Sequence, residues 1–221
     1  MGLDMYLDKA KRIGNATPNE IDMVSSYLDY LLRPSKYKDS TMKEWCGIDE
    51  KDVNMEVVDS YRNEYHTKYG GWDTEKKYGW LGLWDGVAYW RKANAIHKWF
   101  VENVQDGVDD CGRYEVTKEQ LQELLKICLM VKENSKLVDG KVANGQIVEN
   151  GKWTTIYEDG MHIEDPSIAM EFLPTENGFF FGSTSYDQWY LEDINYTIGA
   201  INDVLNTTDF DKEIISYCAS W

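Results

Sequence analysis

Hydrophobic and polar residues alternate at both ends of the chain. Near the start, apolar side chains occupy every second position of the run Leu3-Asp4-Met5-Tyr6-Leu7-Asp8. Alternation with a period of two predicts a strand over residues 2–8 with one buried face. A weaker alternation predicts a final strand over residues 213–221, and the run Phe179-Phe180-Phe181 predicts a short apolar strand before it.

Other segments begin with helix-capping residues and continue with apolar positions three or four apart. Thr17 with Glu20, and Thr117 with Gln120, match the capping box, in which two side chains satisfy free backbone N–H groups reciprocally. The first predicted helix ends at Arg33-Pro34, and the second covers residues 118–134. A long helix is predicted from Asp187, a short one near residues 53–65, and a ring-packed loop between Trp72 and Trp84.

Residues 87–104 are predicted to form a buried helix, because apolar positions occur on more than one of its sides. In that helix Arg91, Asn94 and His97 recur at a spacing of three and share one side. Buried polar side chains need hydrogen-bonding partners. The partners of this row are either protein groups or a bound ligand.

Glycines divide residues 139–164 into short β-prone pieces, which predict a hairpin-like excursion from the main body. These patterns together predict a single α+β domain over residues 1–221. Its small, mostly antiparallel sheet comprises the N-terminal, the 179–181 and the C-terminal strands, and several helices pack on it.

The net charge of the chain indicates which classes of partner it can bind. Lys and Arg total 23 and Asp and Glu total 39, so the formal net charge is −16. This charge disfavours direct binding to nucleic acids and to anionic membranes. It favours either solubility alone or a surface that mimics a polyanion and occupies a nucleic-acid-binding protein.

The cysteines are far apart and show no zinc-ligand spacing: Cys46, Cys111, Cys128 and Cys218. The acidic loop with Asp106, Asp109 and Asp110 does not match a calcium-binding loop and is interpreted as a solvated turn. We therefore predict no metal and no cofactor. The start of the chain lacks the basic and apolar regions of a secretory signal, and no apolar run is long enough for a membrane span, which predicts a cytoplasmic protein with free thiols.

Residues 89–100 and 178–190 mix large aromatic rings with Arg, Asn, His, Ser and Asp. This mixture is typical of a pocket for a flat, polar ligand. Aromatic rings stack on or enclose a base, Arg, Asn and His bind polar groups, and hydroxyls at a helix start bind phosphate. We predict a ligand site of eight residues: Tyr6, Trp90, Arg91, Asn94, His97, Ser183, Thr184 and Tyr186. The alternative is an internal polar network with ordinary helix capping.

Several segments resemble a family of phage and prophage proteins that open with a Gly-Leu-Asp-Met-Tyr-Leu strand. The resemblance rests on residues 2–7, 90–100, 178–189, Asp109-Asp110-Cys111-Gly112 and the terminal Ser220-Trp221. It implies expression inside a bacterial host and an accessory role, such as countering host defences. It implies no activity and no site residues.

Three hypotheses follow. In the first, a phage-type protein sequesters a small nucleotide-like signalling ligand in the eight-residue site. In the second, an acidic protein blocks a nucleic-acid-binding host defence protein. In the third, an enzyme degrades the same ligand with His97 as general base. A homo-oligomer is compatible with each hypothesis.

Overall fold

The computed structural model describes residues 2–32, 37–38, 40–68, 83–149, 151–178 and 180–221. The strands are β1 (Asp4–Lys11), β2 (Asp85–Arg91), β3 (Tyr114–Val116), β4 (Leu137–Glu149), β5 (Lys152–Ile163) and β6 (Glu213–Ser220). The helices are α1 (Pro18–Leu32), α2 (Met42–Cys46), α3 (Met55–Lys68), α4 (Asn94–Asn103), α5 (Lys118–Glu133), α6 (Ser167–Phe172) and α7 (Gln188–Thr207). The predicted α+β class is confirmed. The predicted loop between Trp72 and Trp84 falls mostly on residues 69–82, outside the described residues, and the predicted helix end at Arg33-Pro34 lies outside them too.

A four-stranded antiparallel sheet organises the main body, in the order β2-β1-β6-β3. Side chains alternate between its two faces, as the N-terminal pattern predicts. The inner face carries apolar residues that pack against α4, α5 and α7: Leu3, Met5, Leu7, Trp90, Ile215 and Tyr217. The stacked rings of Phe100 and Tyr217, with centroids 4.0 Å apart, join α4 to β6 in this core.

Among the described elements, helices cover the outer face of the sheet at one end. There Ala10 and Ile214 pack against α1 and α3 through a second core that includes Ile21, Val24 and Val58. Toward the other end, the outer face presents Tyr6 and Tyr89, whose side chains remain 37% and 45% exposed. The sheet therefore has one fully covered face and one that is half open.

Capping explains why the helices begin where they do. Thr17 and Glu20 exchange the two capping-box hydrogen bonds, at 2.8 and 3.3 Å. Thr117 and Gln120 do the same for α5. Asp187 caps α7 by accepting hydrogen bonds from the N–H groups of Trp189 and Tyr190. Each cap contributes about 1 kcal/mol to stability.

The helix predicted over residues 87–104 is wrong in its first part. Residues 85–91 form the strand β2, and the helix begins only at Asn94. Burial alternates along β2, with Ala88 and Trp90 inside and Tyr89 and Arg91 outside, so a period of two governs this segment. Lys92, with a left-handed φ of 62°, ends the strand. Arg91 therefore does not share a helix side with Asn94 and His97.

The strand predicted at Phe179, Phe180 and Phe181 is also corrected. Phe180 lies in a turn with φ 66°, Phe181 belongs to no strand, and Phe179 lies outside the described residues. Asn94 holds this segment as a loop, because its side chain bonds the Phe181 carbonyl. The described sheet gains its third and fourth strands from β2 and β3 instead.

The predicted excursion at residues 139–164 is present as the antiparallel hairpin of β4 and β5, which we call the arm. Gly140 and Gly160 oppose each other near its base, where a Cβ at Gly160 would lie 2.5 Å from the Val142 side chain. Val142 and Ile163 are buried. No described side chain between residues 143 and 161 is buried.

Candidate functional site

The eight predicted site residues occupy three separate places in the structure. Asn94, His97, Ser183, Thr184 and Tyr186 lie around the loop of residues 174–187, on the inner side of the sheet. Trp90 lies in the core beneath β2, and Tyr6 and Arg91 lie on the outer face. In the first group, a hydrogen bond links Asn94 to Ser183, and further bonds tie Thr184 and Tyr186 to Thr175. His97 packs on this loop through the Phe181 ring. The other residues do not complete one pocket with this group.

Asn94 is 3% exposed and holds the loop through three hydrogen bonds. Its amide nitrogen donates to the carbonyls of Phe181 and Ser183, at 3.1 and 2.8 Å. Its amide oxygen accepts from the Glu176 N–H at 3.0 Å. These bonds satisfy most of what the Asn94 amide can form, so the side chain serves the loop rather than an open cavity.

His97 is fully buried, and both nitrogens of its ring have protein partners. Nδ1 lies 2.8 Å from the Tyr217 hydroxyl, and Nε2 lies 3.3 Å from an Asp109 carboxylate oxygen. The ring packs edge-on against Phe181 at 5.3 Å. The other Asp109 oxygen accepts from the Trp221 indole at 3.1 Å, so this acidic loop is tied to the C-terminal strand. A general base needs access to its substrate, and His97 has none here.

The hydroxyl residues of the loop also bond within the protein. The Ser183 hydroxyl accepts from the Ser185 N–H at 3.1 Å, and the Thr184 carbonyl accepts from the Thr175 hydroxyl at 3.0 Å. The Tyr186 hydroxyl accepts from the Thr175 N–H at 3.2 Å. Ser183 and Thr184 are exposed. The arrangement is therefore a braced loop that leads into α7, whose cap is Asp187.

Trp90 is 2% exposed and faces α7. Its indole N–H donates to the Thr197 hydroxyl at 2.9 Å, and that hydroxyl donates to the Asp193 carbonyl at 2.7 Å. Tyr196 packs edge-on against the Trp90 ring at 5.9 Å. Trp90 is a core residue with a satisfied polar atom, and its ring does not reach a ligand site.

The outer face brings together accessible groups that favour binding. Tyr6 and Tyr89 are cross-strand neighbours with ring centroids 5.4 Å apart. One row away, Asp4 opposes Arg91, with 3.8 Å between carboxylate and guanidinium. The Tyr89 hydroxyl also donates to Asp4, which raises the pKa of Tyr89. We call Asp4, Tyr6, Tyr89 and Arg91 the outer patch.

A half-buried arginine lies beside the outer patch. Arg113 donates to Asp8 at 2.7 Å and to the Ser216 hydroxyl at 2.9 Å, and its Nε donates to Asp22 at 3.0 Å. The guanidinium lies over the Trp84 ring, 4.6 Å from its centroid. Since Asp22 also accepts from the Trp84 indole, one cluster joins β1, β6 and α1.

Burial and charge oppose each other in this cluster. Burial raises the pKa of Asp8, and the hydrogen bond and charge of Arg113 lower it by less. Burial lowers the pKa of Arg113, but the charges of Asp22 and Asp8 among others outweigh it. Burial raises the pKa of the neighbouring Cys218 thiol to about 11. The thiol is therefore protonated at neutral pH, which makes it a weak nucleophile.

The outer face combines exposed aromatic and charged side chains. No three His, Cys, Asp or Glu side chains come close enough to hold a metal ion anywhere in the described part of the chain. The outer patch presents two tyrosines and an arginine, and the half-buried Arg113 and Trp84 lie beside it. Tyr, Trp and Arg are the residue types that dominate binding energy at protein interfaces.

The sequence interpretation missed Asp8, Trp84, Tyr89 and Arg113 as site residues. Tyr89 and Arg91 could have been placed beside Tyr6 and Asp4 if residues 85–91 had been assigned a period of two. Arg113 carried no local signal, because its partners Asp8, Asp22 and Ser216 are at least 91 residues away in the chain. Only the pairing of β1, β3 and β6 brings them together.

Comparison with known proteins identifies no relative: no protein-family model, no curated protein and no solved structure matches this chain. Within the described ranges, no helix has both the length and the apolar character that crossing a membrane requires.

Proposed function

We propose that this protein is an acidic binding protein whose outer patch docks on a basic protein, one whose own ligand is a nucleic acid. Bound there, it would block access of the nucleic acid and so inhibit that partner. The observation that carries the proposal is the contrast in accessibility. The outer patch exposes two tyrosines and an arginine. The polar groups of Asn94 and His97, in contrast, form hydrogen bonds with other groups inside the protein.

The charge of the chain supports a basic partner. A net charge of −16 attracts a positively charged surface and speeds the encounter at low salt. The exposed tyrosine rings add apolar contact area that salt does not screen. Such a complex forms quickly by charge and is held by the rings, so its association rate falls with salt more than its dissociation rate rises.

The resemblance to phage and prophage proteins suggests where such a partner occurs. A protein made inside an infected bacterium meets host defence nucleases and effectors, many of which bind nucleic acid through basic surfaces. We therefore propose a host defence protein as the partner and a cytoplasmic setting for the complex. This assignment rests on the resemblance and on charge.

The proposal is tested by immobilising the protein, passing bacterial lysate over it, and eluting with a salt gradient. A partner counts only if it is basic, binds nucleic acid when purified, and loses that binding when this protein is added. Tyr89→Ala should then abolish both retention and inhibition. Trp189→Ala is the control, because Trp189 is a comparably exposed ring, at 50%, on α7. Equal retention by Tyr89→Ala, or no inhibition, would contradict the proposal.

A small nucleotide-like ligand is the second candidate, favoured by one observation. Tyr6 and Arg91, two of the predicted ligand residues, are accessible on the same face and flank the Tyr89 ring. Two rings and a guanidinium suit a base and a phosphate. A ligand in hundred- to thousandfold excess over its dissociation constant adds about 3–4 kcal/mol of stability. Thermal scans with a panel of nucleotides that produce no shift would eliminate this candidate.

A further inference from the structure

Within the described ranges, the arm is a two-stranded sheet, and no third strand pairs with the outer edge of β5. β5 has twelve residues, which at about 3.3 Å per residue extend roughly 40 Å. Its side chains include Ile156 and Tyr157, which are 41% and 62% exposed. A two-stranded hairpin is marginally stable in water, and three or more strands are needed for independent stability.

The two edges of the arm differ. β4 carries a bulge between Ala143 and Gln146, where Gly145 has φ 101°, and a bulge disturbs further pairing along that edge. β5 has no inserted residue at this register shift, because the extra residue lies on β4. The open edge suited to accept another strand is therefore that of β5.

The backbone shows which β5 residues point their N–H groups outward. Near the base, the N–H of Met161 donates to Gln188 and that of Ile163 donates to the Tyr186 carbonyl, both away from β4. Because this direction alternates with a period of two, Thr155 and Tyr157 also point their N–H groups outward. These groups lie beyond the part of the edge that α7 and its preceding loop occupy.

The distribution of charge favours a second copy of the chain as the partner of the β5 edge. Residues 142–157 contain one Glu and one Lys, whereas the whole chain carries −16. Most of the surface repels another copy, and this segment does not. In an antiparallel pair of two β5 strands with its two-fold axis at Thr155, Lys152 faces Glu158 of the partner subunit, and the reverse pair forms by symmetry. Two-fold registers centred on Tyr157 or Asp159 do not make this pair.

We propose that two copies dimerise through β5, antiparallel and centred on Thr155, so that their arms form one four-stranded sheet. Thr155 pairs with its own equivalent through outward hydrogen bonds, and Thr154 faces Ile156 of the partner subunit. Opposite charges directly across strands stabilise such a pair, and like charges destabilise it. This proposal does not depend on the outer patch or its partner.

A charge swap tests the register. The full chain is studied by sedimentation equilibrium, and the wild type should dimerise. Lys152→Glu and Glu158→Lys should each weaken dimerisation about tenfold, since each places two like-charge pairs in the interface. The double variant K152E/E158K should restore dimerisation. Each single change also touches the arm itself, because Lys152 lies opposite Glu149 and Glu158 accepts a hydrogen bond from Asn144 at 2.6 Å. Recovery in the double variant is therefore the decisive result.

Control variants show whether dimerisation responds to the proposed pairing of Lys152 with Glu158 or only to the net charge of the chain. Lys126→Glu, on the exposed surface of α5, changes the charge as Lys152→Glu does. Glu171→Lys, at an exposed position of α6, changes it as Glu158→Lys does. Neither should weaken dimerisation. A wild type that stays monomeric up to its solubility limit would overturn the proposal, as would single variants without effect or a double variant that fails to recover. Pairing of β5 with a different protein alone would overturn it too.

Discussion

Polar and aromatic side chains lie on both sides of the four-stranded sheet, but they are buried on one side and exposed to solvent on the other. On the inner side, His97 and Asn94 are buried and each bonds two or more protein groups. On the outer side, Tyr89 and Arg91 are exposed, and their contacts are with neighbours on the same surface. Polar and aromatic residues mixed in sequence therefore do not define a pocket. Accessibility decides which of them can contact a partner and which hold the fold.

The largest effect is expected from removing the inner amide. Asn94→Ala leaves the Glu176 N–H and the carbonyls of Phe181 and Ser183 without their partner. Each buried, unsatisfied group costs about 1–3 kcal/mol, so the unfolding free energy should fall by about 4 kcal/mol. Urea denaturation measures this change. A loss below about 1 kcal/mol would mean that water replaces the amide, and that the loop is not held as we describe.

A carboxyl on the inner side should make stability depend on pH. Burial, followed by the charges of Glu192 and Asp187, raises the pKa of Asp193 to about 7 from 3.8. The folded protein then holds a proton that the unfolded chain releases, so stability is present at low pH and is lost as pH rises from about 4 to 7. With partial solvent screening, the loss amounts to about 2–3 kcal/mol. Asp193→Asn should flatten this part of the curve, and an unchanged curve would refute the assignment.

An intermediate effect is expected at the cluster beside the outer patch. Arg113→Met removes the guanidinium that bonds Asp8, Asp22 and Ser216 and stacks on Trp84. Because Asp8 then stays largely buried without its counter-charge, stability at neutral pH should fall by about 2 kcal/mol. The deficit, measured by urea denaturation, should shrink in acid, where Asp8 is protonated. If the Arg113→Met variant were as stable as the wild type at neutral pH, the prediction would be wrong. The attraction between Arg113 and Asp8 would then only offset the cost of burying the two charges.

The smallest effect on stability is expected at the outer patch. Tyr89→Ala and Arg91→Ala remove exposed side chains, and the Arg91–Asp4 pair at 3.8 Å is a solvent-screened contact. Neither change should shift the melting temperature measurably, although both should weaken partner binding. A clear fall in melting temperature would mean that Tyr89 and Arg91 stabilise the fold as Asn94 and His97 do. The two faces of the sheet would then not differ in this respect.

Local patterns predicted much of the fold. The capping residues located the starts of α1, α5 and α7, and alternation located β1 and β6. Residues 87–91 fall within the predicted helix of residues 87–104, because Val, Ala, Tyr and Trp at these positions also fit a buried helix. Their strand character comes from pairing with β1, which no local pattern encodes. The apolar run at residues 179–181 predicts a strand, whereas Asn94, from a distant helix, bonds the Phe181 carbonyl, and Phe181 belongs to no strand.

The candidate site was less predictable than the fold. Local spacing can align Asn94 with His97, but it cannot reveal that Tyr217 and Asp109 use both nitrogens of His97. Likewise, the neighbours of Arg113 come from three other elements. Sequence patterns identify Tyr6 and Arg91 as candidate site residues. Tyr89, Asp8 and Trp84 are recognised only from their contacts in the folded structure.

The most direct test compares one residue from each face in the same binding measurement. The dissociation constant of the basic partner is determined for Tyr89→Ala and for His97→Gln, with the melting temperature of each recorded alongside. The account predicts at least about tenfold weaker binding for Tyr89→Ala at an unchanged melting temperature, and a lower melting temperature for His97→Gln at an unchanged dissociation constant. Weakened binding by folded His97→Gln, with Tyr89→Ala as wild type, would contradict it.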